Sequence, residues 1–508
     1  MISLFWAILL LCVPLLWVYT QKRKDLPPGP TPFPVLGNFP HFGFAVLRGK
    51  TLVDLLLEWK KRYGPAMTIW LGPIPAVCVT DYDLAQEVFV KQGDAFVDRL
   101  KPPVFDITRQ GLGIVMAEGN LWVEQRRFAL HTLRNFGLGR NLMQEKILAE
   151  FHKQMKPIER QLDAAGGRTK VDPRRLFTML IGSIINSFLV GISYDENNSA
   201  DFLELRAKMD SLGNDLNLVN FFIGKLPIIG RNFDKGIQVQ SDVIDHLKGL
   251  YRKRQEKIKS GDYSLENGPQ DYMDAYIIEV GKRTEDNMGY FRCFSFSRRP
   301  DVHQHAGYVG SRAGNDDHDA ILGLHRADQQ PRRPREAALG TSKSGRSDRD
   351  VEERDRSDLP YTMATINEIH RTASIQNFNF FRRSIRETTC AGYTLPRGTV
   401  AAELMSAIFR NEEIFPYPER FNPERFLDEK NGKLQQQKMI PFGVGRRACM
   451  GEGLAKTEIF LIIANLFKTY KITPATEGGM APTDPVAEFA VFRRPKPFEC
   501  HFERVGAC

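Results

Sequence analysis

The sequence feature that most constrains this chain is a glycine-rich loop around one cysteine near the C-terminal end. The stretch PFGVGRRACMGEG, residues 441–453, places Phe442, Gly445, Arg447, Cys449 and Gly451 at fixed spacing before a long apolar run. Glycines permit turns closed to other residues and let the backbone approach a flat, bulky partner. Backbone N–H groups at a helix start stabilise a thiolate. The loop therefore predicts a thiolate held in a tight turn.

One thiolate of this kind is a soft metal ligand, and a single cysteine suits haem iron better than zinc. Arg447 offers a cation for a haem propionate. A glycine loop with a buried structural cysteine is the alternative. The loop resembles the haem-binding signature of the cytochromes P450, the haem-thiolate monooxygenases. The resemblance implies haem b as cofactor, Cys449 as the catalytic axial iron ligand, and Phe442, Gly445, Arg447 and Gly451 as haem-binding residues.

Two other segments agree with this resemblance. In GNLWVEQRRFAL, Trp122 and Arg126 lie four residues apart on one helix face. They match the family's Trp-x-x-x-Arg element, whose side chains reach haem propionates; a solvated helix with a core tryptophan is the alternative. In LPYTMATINEIHR, Glu368 and Arg371 lie one turn apart, and Arg425 follows in FNPERF. Such pairs are common on surfaces, but in this order they resemble the family's internal Glu–Arg–Arg network, which is structural and not catalytic.

The patterning of the remaining chain predicts a mainly α fold with a minor β-sheet (α+β). TLVDLLLEWKKRYG predicts an amphipathic helix that ends at a glycine, and GLAKTEIFLIIANLFKTY predicts a buried central helix. AMTIWLGPIPAVCVT and ETTCAGYTLPRGTV predict short strands and turns. The resemblance implies the cytochrome P450 fold, as one catalytic domain over residues 41–508.

The first twenty residues predict a transmembrane anchor. They carry no charge and are almost wholly apolar, and a helix of that length spans about 30 Å, one hydrocarbon core. A cleaved signal peptide is the alternative, but the run is long and ends at Trp17, Val18 and Tyr19 without a small-residue cleavage site. We expect a single-pass anchor at residues 1–20, a basic and proline-rich linker at 21–40, and a cytosolic body at the endoplasmic reticulum membrane. These features resemble the microsomal, drug-metabolising type of the family.

Charge and cysteine content limit the partners. The net charge of +9 is compatible with an anionic membrane surface or an acidic protein, and the scattered basic residues argue against nucleic acid. Seven cysteines, an odd number without a C-x-x-C pair, argue against a disulfide framework. The resemblance implies insertion of one atom of O2 into an apolar organic substrate, with electrons from an NADPH-dependent flavoprotein reductase. We expect the reductase to dock on a basic face near Arg127 and Arg446.

The resemblance implies that substrate contacts come from the central helix expected within residues 291–349 and from two variable segments. These are residues 104–116 and residues 216–230, and the second is apolar without clean periodicity. Buried core and a surface that dips into the membrane are alternative interpretations of residues 216–230. The identity of the substrate does not follow from the sequence.

Residues 291–349 depart from the family's pattern. The family has there a central helix with an Ala/Gly-Gly-x-Asp/Glu-Thr-Thr element that serves oxygen activation, and no such element is present. The segment holds four of the ten histidines, many arginines and almost no helical periodicity. The run NDDHD at residues 315–319 suggests a divalent-cation site. Against such a site, adjacent side chains point in different directions.

A frameshift is our hypothesis for this segment. Read one base later, the codons from Ser311 to Leu322 permit Ala-Gly-Gln-Glu-Thr-Thr-Thr-Thr-Thr-Leu-Ser-Trp, which contains the missing element at the right distance before Glu368. The cause would be a gene-model error, a sequencing error or a real frameshift. The alternative function is a haem-binding pseudoenzyme, or a non-functional product, that lacks the oxygen-activating helix. The nucleotide sequence of this region distinguishes a frameshift from a genuine coding segment.

Overall fold

Helices make up most of the residues that the structure describes. The computed structural model describes residues 25–136, 141–215, 222, 224, 230–285, 349–374, 376–475 and 498–505. The helices in these residues are α1 (Phe39–Leu47), α2 (Leu52–Tyr63), α3 (Tyr82–Gln86), α4 (Pro103–Arg109), α5 (Gly119–Asn135), α6 (Asn141–Ala164), α7 (Pro173–Val190), α8 (Ala200–Asp215), α9 (Gly230–Ser260), α10 (Tyr272–Glu285), α11 (Pro360–Ala373), α12 (Met405–Phe409), α13 (Gly432–Gln437) and α14 (Glu452–Thr469). A π-helical turn follows α3 at Glu87–Lys91, and 3-10 turns lie at Glu353–Asp358, Pro423–Phe426 and Gly445–Arg447.

The strands form small sheets beside the helices. They are β1 (Ala66–Leu71), β2 (Ile74–Val79), β3 (Asp98–Arg99), β4 (Arg168–Val171), β5 (Arg382–Arg383), β6 (Thr388–Cys390), β7 (Tyr393–Leu395), β8 (Val400–Glu403), β9 (Tyr470–Pro474) and β10 (Cys500–Arg504). Five form a mixed sheet in the order β1-β2-β8-β5-β3, three form the sheet β4-β10-β9, and β6 pairs with β7. The predicted class, mainly α with a minor β-sheet, is confirmed.

Local sequence signals set the ends of α2. Thr51 and Asp54 form a capping box, in which the Asp54 N–H donates to Thr51 Oγ1 at 3.2 Å and the Thr51 N–H donates to Asp54 Oδ2 at 2.9 Å. The helix ends at Gly64, whose φ of 90° is open to glycine at little cost. The predicted amphipathic helix with a terminal glycine is therefore confirmed.

The long apolar run after Cys449 is the central helix of the main core. Residues 459–463 of α14 are each at most 1% exposed, and the helix packs against both α6 and α11. Burial on all sides explains why the run lacks a polar face. Asn465 of α14 also bonds the backbone of Val351 in both directions, at 2.8 and 3.0 Å. This contact ties the chain that precedes α11 to the core.

The proline-rich segment, where it is described, packs along β1. Thr68 donates to the carbonyl of Pro28 from its backbone N–H at 3.0 Å and to that of Pro27 from its hydroxyl at 2.7 Å. A Cβ on Gly29 would lie 2.0 Å from the Thr68 carbonyl oxygen, so only glycine fits there. No helix among the described residues is long and apolar enough to cross a bilayer. The predicted anchor, residues 1–20, lies outside the described part of the chain.

Candidate active site

The predicted cysteine loop is a tight turn between the mixed sheet and α14. The Cys449 N–H donates to the Phe442 carbonyl at 2.9 Å, and Gly451 caps the start of α14. Gly445 has a φ of 74°, and a Cβ there would lie 1.8 Å from the Phe89 carbonyl oxygen. The glycine is thus required twice, by its backbone conformation and by the close approach of another chain segment.

Cys449 differs from the other cysteines that the structure describes. Its side chain is exposed, whereas Cys78, Cys390 and Cys500 are buried. Burial raises the pKa of Cys78 and of Cys390 to about 12, which keeps those two thiols neutral and inert. Cys449 is therefore the cysteine of this set that can present its sulfur to a ligand.

Helix α5 brings the Trp-x-x-x-Arg element to the same loop. Arg126 donates through Nη2 to the Ala448 carbonyl at 3.0 Å, immediately before Cys449. The Arg447 guanidinium lies over the Trp122 ring, 4.0 Å from its centroid, and donates to the carbonyls of Val97 and Ala117 at 2.6 and 2.7 Å. The structure therefore brings together residues that are more than 300 positions apart in the sequence.

Two arginines that the sequence did not single out complete this group. The arginine cluster consists of Arg99 on β3, Arg126 on α5, Arg382 on β5 and Arg447 in the cysteine loop. Arg99 is 4% exposed, Arg382 1% and Arg447 5%. No local pattern marks Arg99 or Arg382, because each lies in a two-residue strand that joins the site only when the sheet assembles.

The positive charge of the arginine cluster favours the binding of anions. Burial, together with the charges of Arg126 and Arg382, lowers the pKa of Arg447 to about 9. Burial also holds the pKa of Arg99 well below its usual value, with repulsion from the other three arginines adding to the shift. Arg99 Nε is buried and has no hydrogen-bond partner in the described structure.

The nearby carboxylates only partly offset this charge. They are Asp98, Glu118 and Glu403, and Glu118 is also paired with Lys101 and Arg383. Two haem propionates would supply the missing negative charge beside a sulfur ligand on a neighbouring loop. The donor set therefore fits haem.

The structure brings together the three residues of the predicted Glu–Arg–Arg network. Arg371 donates to both carboxylate oxygens of Glu368, at 2.7 and 2.8 Å, and Arg425 Nε lies 3.2 Å from the same carboxylate. Glu368 is fully buried, and Arg371 also donates to the Phe409 carbonyl at 3.1 Å. These bonds join α11 to the 3-10 turn Pro423–Phe426.

An aromatic cavity lies near β5. Its lining is mainly apolar and consists of Leu100, Pro102, Phe222, Gln376, Phe378, Asn379, Phe380 and Phe381. Phe222 meets Phe381 edge-on, with 5.7 Å between ring centroids, and it belongs to the predicted variable segment 216–230. Most of that segment lies outside the described residues, as does the NDDHD run. Among the described residues, no group of three or more His, Cys, Asp or Glu side chains could hold a metal ion.

The fold and the site are those of a haem-thiolate protein, and comparison with known proteins identifies its family. The family model described as Cytochrome P450 matches residues 27–292 and 342–502, and the chain belongs to the cytochrome P450 family. Its cofactor is haem b, and its class of reaction is that of an oxidoreductase that incorporates molecular oxygen, a monooxygenase.

Curated relatives cover almost the whole chain. The probable cytochrome P450 cyp-35D1 of Caenorhabditis elegans is 32% identical over 473 residues, which are 91% of this chain and 92% of that protein. Cytochrome P450 2H2 of Gallus gallus is 29% identical, over 96% of this chain and 95% of its own length. Cytochrome P450 2U1 of Bos taurus is 28% identical, with 89% and 85% covered. The similarity therefore extends over the length of the domain.

Proposed function

We propose that this chain is a membrane-anchored haem-thiolate monooxygenase in which Cys449 provides the axial thiolate ligand of the iron. The observation that carries the proposal is an exposed cysteine in a glycine turn, bordered by the arginine cluster, of which Arg99, Arg382 and Arg447 are buried. When bound, haem supplies the oxygen-activating chemistry, and a thiolate ligand favours cleavage of the O–O bond. The protein's own part is to hold that sulfur and to exclude competing ligands.

The surrounding residues would hold the cofactor by charge and shape. Arg126 and Arg447 would pair with the propionates, with Arg99 as a third donor, because each of these guanidinium groups is partly or fully buried beside like charges. The Trp122 ring would fix Arg447 through their stacked contact. Phe442, Gly445 and Gly451 would shape the loop, and the Glu–Arg–Arg network would stabilise the haem-binding core without touching substrate.

The substrate would be an apolar organic molecule. The support for this class is the membership of the cytochrome P450 family; the aromatic cavity near β5, at about 10 Å³, is too small to hold such a molecule. Electrons would come from an NADPH-dependent flavoprotein reductase at a basic face that includes Arg127 and Arg446, both of which are exposed. Electrostatic attraction would speed the encounter with an acidic partner.

Residues 1–20 would anchor the protein in the endoplasmic reticulum membrane. The support is twenty uncharged, mostly apolar residues followed by the cluster Lys22, Arg23 and Lys24, which favours a cytosolic body. The segment 21–40 would then set the position of a single domain, residues 41–508, against the lipid surface.

A haem-binding pseudoenzyme is the second candidate, and one observation favours it. The family model leaves residues 293–341 unmatched, within the segment 291–349 that lacks the oxygen-activating element. A chain that keeps its cysteine loop and lacks that element would bind haem without turning over substrate. The frameshift hypothesis accounts for the same observation and, where the cause is a gene-model or sequencing error, leaves the natural enzyme intact.

Carbon monoxide binding to the reduced full-length protein tests the proposed ligand. The expected result is a red-shifted, thiolate-type Soret band that is lost in Cys449→Ser. Cys390→Ser, which alters a buried cysteine, is the matched control and should keep the band. If Cys449→Ser keeps its pigment and spectrum, the proposed ligand is wrong. NADPH-dependent oxidation of a test substrate then distinguishes the enzyme from the pseudoenzyme.

A further inference from the structure

A fully buried carboxylate contacts the cysteine loop. Glu403, the last residue of β8, has no exposed surface. Its Oε1 atom accepts hydrogen bonds from Arg382 Nη2 at 2.7 Å and from Asn379 Nδ2 at 2.8 Å. The same oxygen also accepts the backbone N–H of Val444 at 3.4 Å. Glu403 Oε1 thus connects the mixed sheet to the loop that carries Cys449.

The arginine partner of this carboxylate bonds the same residue, Val444, at its other backbone group. Arg382 Nη2 donates to the Val444 carbonyl at 2.8 Å, so the Arg382–Glu403 pair bonds both the N–H and the C=O of Val444. The guanidinium also stacks 4.4 Å from the centroid of the Phe89 ring. Phe89 is the residue whose carbonyl approaches Gly445. The pair therefore contacts the loop and the segment packed against it.

The loop lies on this pair without spare room. A Cβ on Gly443, whose φ is 71°, would lie 2.3 Å from Asn379 Nδ2 and 3.1 Å from Glu403 Oε1. Close packing of this kind transmits a small displacement instead of absorbing it. A change at Glu403 should therefore reach the loop that bears Cys449.

Glu403 also acts on charge, because it is the negative partner of Arg382 inside the arginine cluster. Its second oxygen, Oε2, is buried without a hydrogen-bond partner in the described structure. A buried carboxylate exerts a field that water screens weakly. Its charge would oppose the arrival of an electron at a haem iron held by Cys449.

We propose that Glu403 is a positioning residue for the Cys449 loop, acting through Arg382 and Val444, and that its charge keeps the reduction potential of the haem iron low. The inference rests on the proposed function, since it assumes that Cys449 ligates the iron. Glu403 itself touches neither substrate nor cofactor; it sets the geometry and the field around the sulfur.

The test compares Glu403→Gln with a matched buried carboxylate elsewhere, in the full-length holoprotein. Asp274→Asn is the control, because Asp274 is also fully buried and pairs with Arg254, but it lies on α10 and has no bond to the cysteine loop. Two quantities are measured: the reduction potential by redox titration, and the rate at which the thiolate-type carbon monoxide band is lost in moderate urea.

Glu403→Gln should shift the potential to more positive values and speed the loss of the band several-fold, whereas Asp274→Asn should lower stability and leave the potential unchanged. Glu403→Asp, which keeps the charge on a shorter side chain, should keep the potential and lose the band faster than wild type. An unchanged potential in Glu403→Gln, or an equal shift in Asp274→Asn, overturns the proposal.

If the Glu403→Gln protein does not hold haem, the Glu403→Asp protein decides the test. Loss of the band in Glu403→Asp no faster than in Asp274→Asn would then overturn the inference. The proposed function fails on a different result, a thiolate-type band that survives in Cys449→Ser, so the two failures are distinguishable.

Discussion

Gly445 shows at the scale of one residue why the loop motif tolerates little change. Its φ of 74° is strained for any residue with a Cβ, and the space beside it is filled by the Phe89 carbonyl. Gly392, in the turn between β6 and β7, has a similar φ of 81°, but a Cβ there would meet open space, with no contact within 4 Å. Substitutions at the two glycines therefore distinguish the cost of backbone strain, which both share, from the cost of steric overlap, which only Gly445 has.

We expect Gly445→Ala to be far more damaging than Gly392→Ala. The left-handed conformation costs about 1–2 kcal/mol in either variant, and the overlap with backbone at Gly445 adds about 1–3 kcal/mol of overpacking. Urea unfolding measures the free energy of unfolding of the two variants. The haem content of the purified protein shows whether the cysteine loop still binds the cofactor. Equal losses in both variants would contradict the role assigned to the Phe89 contact.

At the scale of elements, a buried charge network joins α11 to the 3-10 turn Pro423–Phe426, beside the apolar cluster of Ala364, Phe415 and Phe426. Glu368 accepts bonds from Arg371 and Arg425 and from the backbone N–H of Asn422, at 2.7 Å for the last. Three partners satisfy a carboxylate that would otherwise be costly to bury. The 3-10 turn Pro423–Phe426 is thereby held against α11.

Glu368→Gln should lower the free energy of unfolding by about 3–5 kcal/mol, because two buried arginines lose their anionic partner. Glu452→Gln removes an exposed pair with Lys456 one helical turn away and should cost less than about 1 kcal/mol. Denaturant titrations of both variants provide the measurement. A cost in Glu368→Gln as small as that of Glu452→Gln would remove the structural role of the network.

Asp355 gives the junction before α11 a dependence on pH. Two hydrogen bonds from Arg349, at 2.6 and 2.7 Å, lower the pKa of the Asp355 carboxyl. The folded state thus holds the ionised form more tightly than the unfolded chain does. The resulting stability is present above the ordinary aspartate pKa of about 3.9 and is lost as pH falls through the lower folded value.

We expect Asp355→Asn to remove that acid-sensitive part of the stability. The variant should be less stable than wild type at neutral pH, and the difference should shrink below about pH 4. Glu429→Gln, at an exposed position, is the control and should follow the wild-type curve. A stability difference that stays constant from neutral to acid pH would rule out the proposed linkage.

At the scale of the whole molecule, the two matched blocks of the family share one core. Ile147 and Phe151 of α6 come from the first block, whereas Ile366 of α11 and Ile462 of α14 come from the second. The cysteine loop and the Trp122 helix meet across the same division. The framework for holding haem is therefore assembled from residues on both sides of 291–349.

Restoring the shifted reading frame across residues 291–349 should increase NADPH-dependent oxidation of a test substrate about 10²-fold or more, the usual contribution of positioned proton transfer. The carbon monoxide spectrum should keep its thiolate-type band in both proteins, because the loop is unchanged. Reductase is supplied in equal amounts to both. Equal turnover by the two chains would contradict the frameshift hypothesis.

The sequence by itself determined the parts of this protein that rest on short-range patterns. The cysteine loop, the Trp122 helix, the glycine end of α2 and the apolar run of α14 are each visible within a few turns of chain, because helix periods and glycine requirements are local. The family resemblance and the predicted fold class followed from these segments.

Only the tertiary structure decided which distant residues surround the loop. Arg99 and Arg382 lie in two-residue strands, and Glu403 ends a third strand that appears in sequence as an ordinary apolar run. Nothing local distinguishes them from surface residues or from a misplaced polar residue in the core. They come together because strands β3, β5 and β8 pair side by side, and hydrogen bonding between strands does not depend on their distance along the chain.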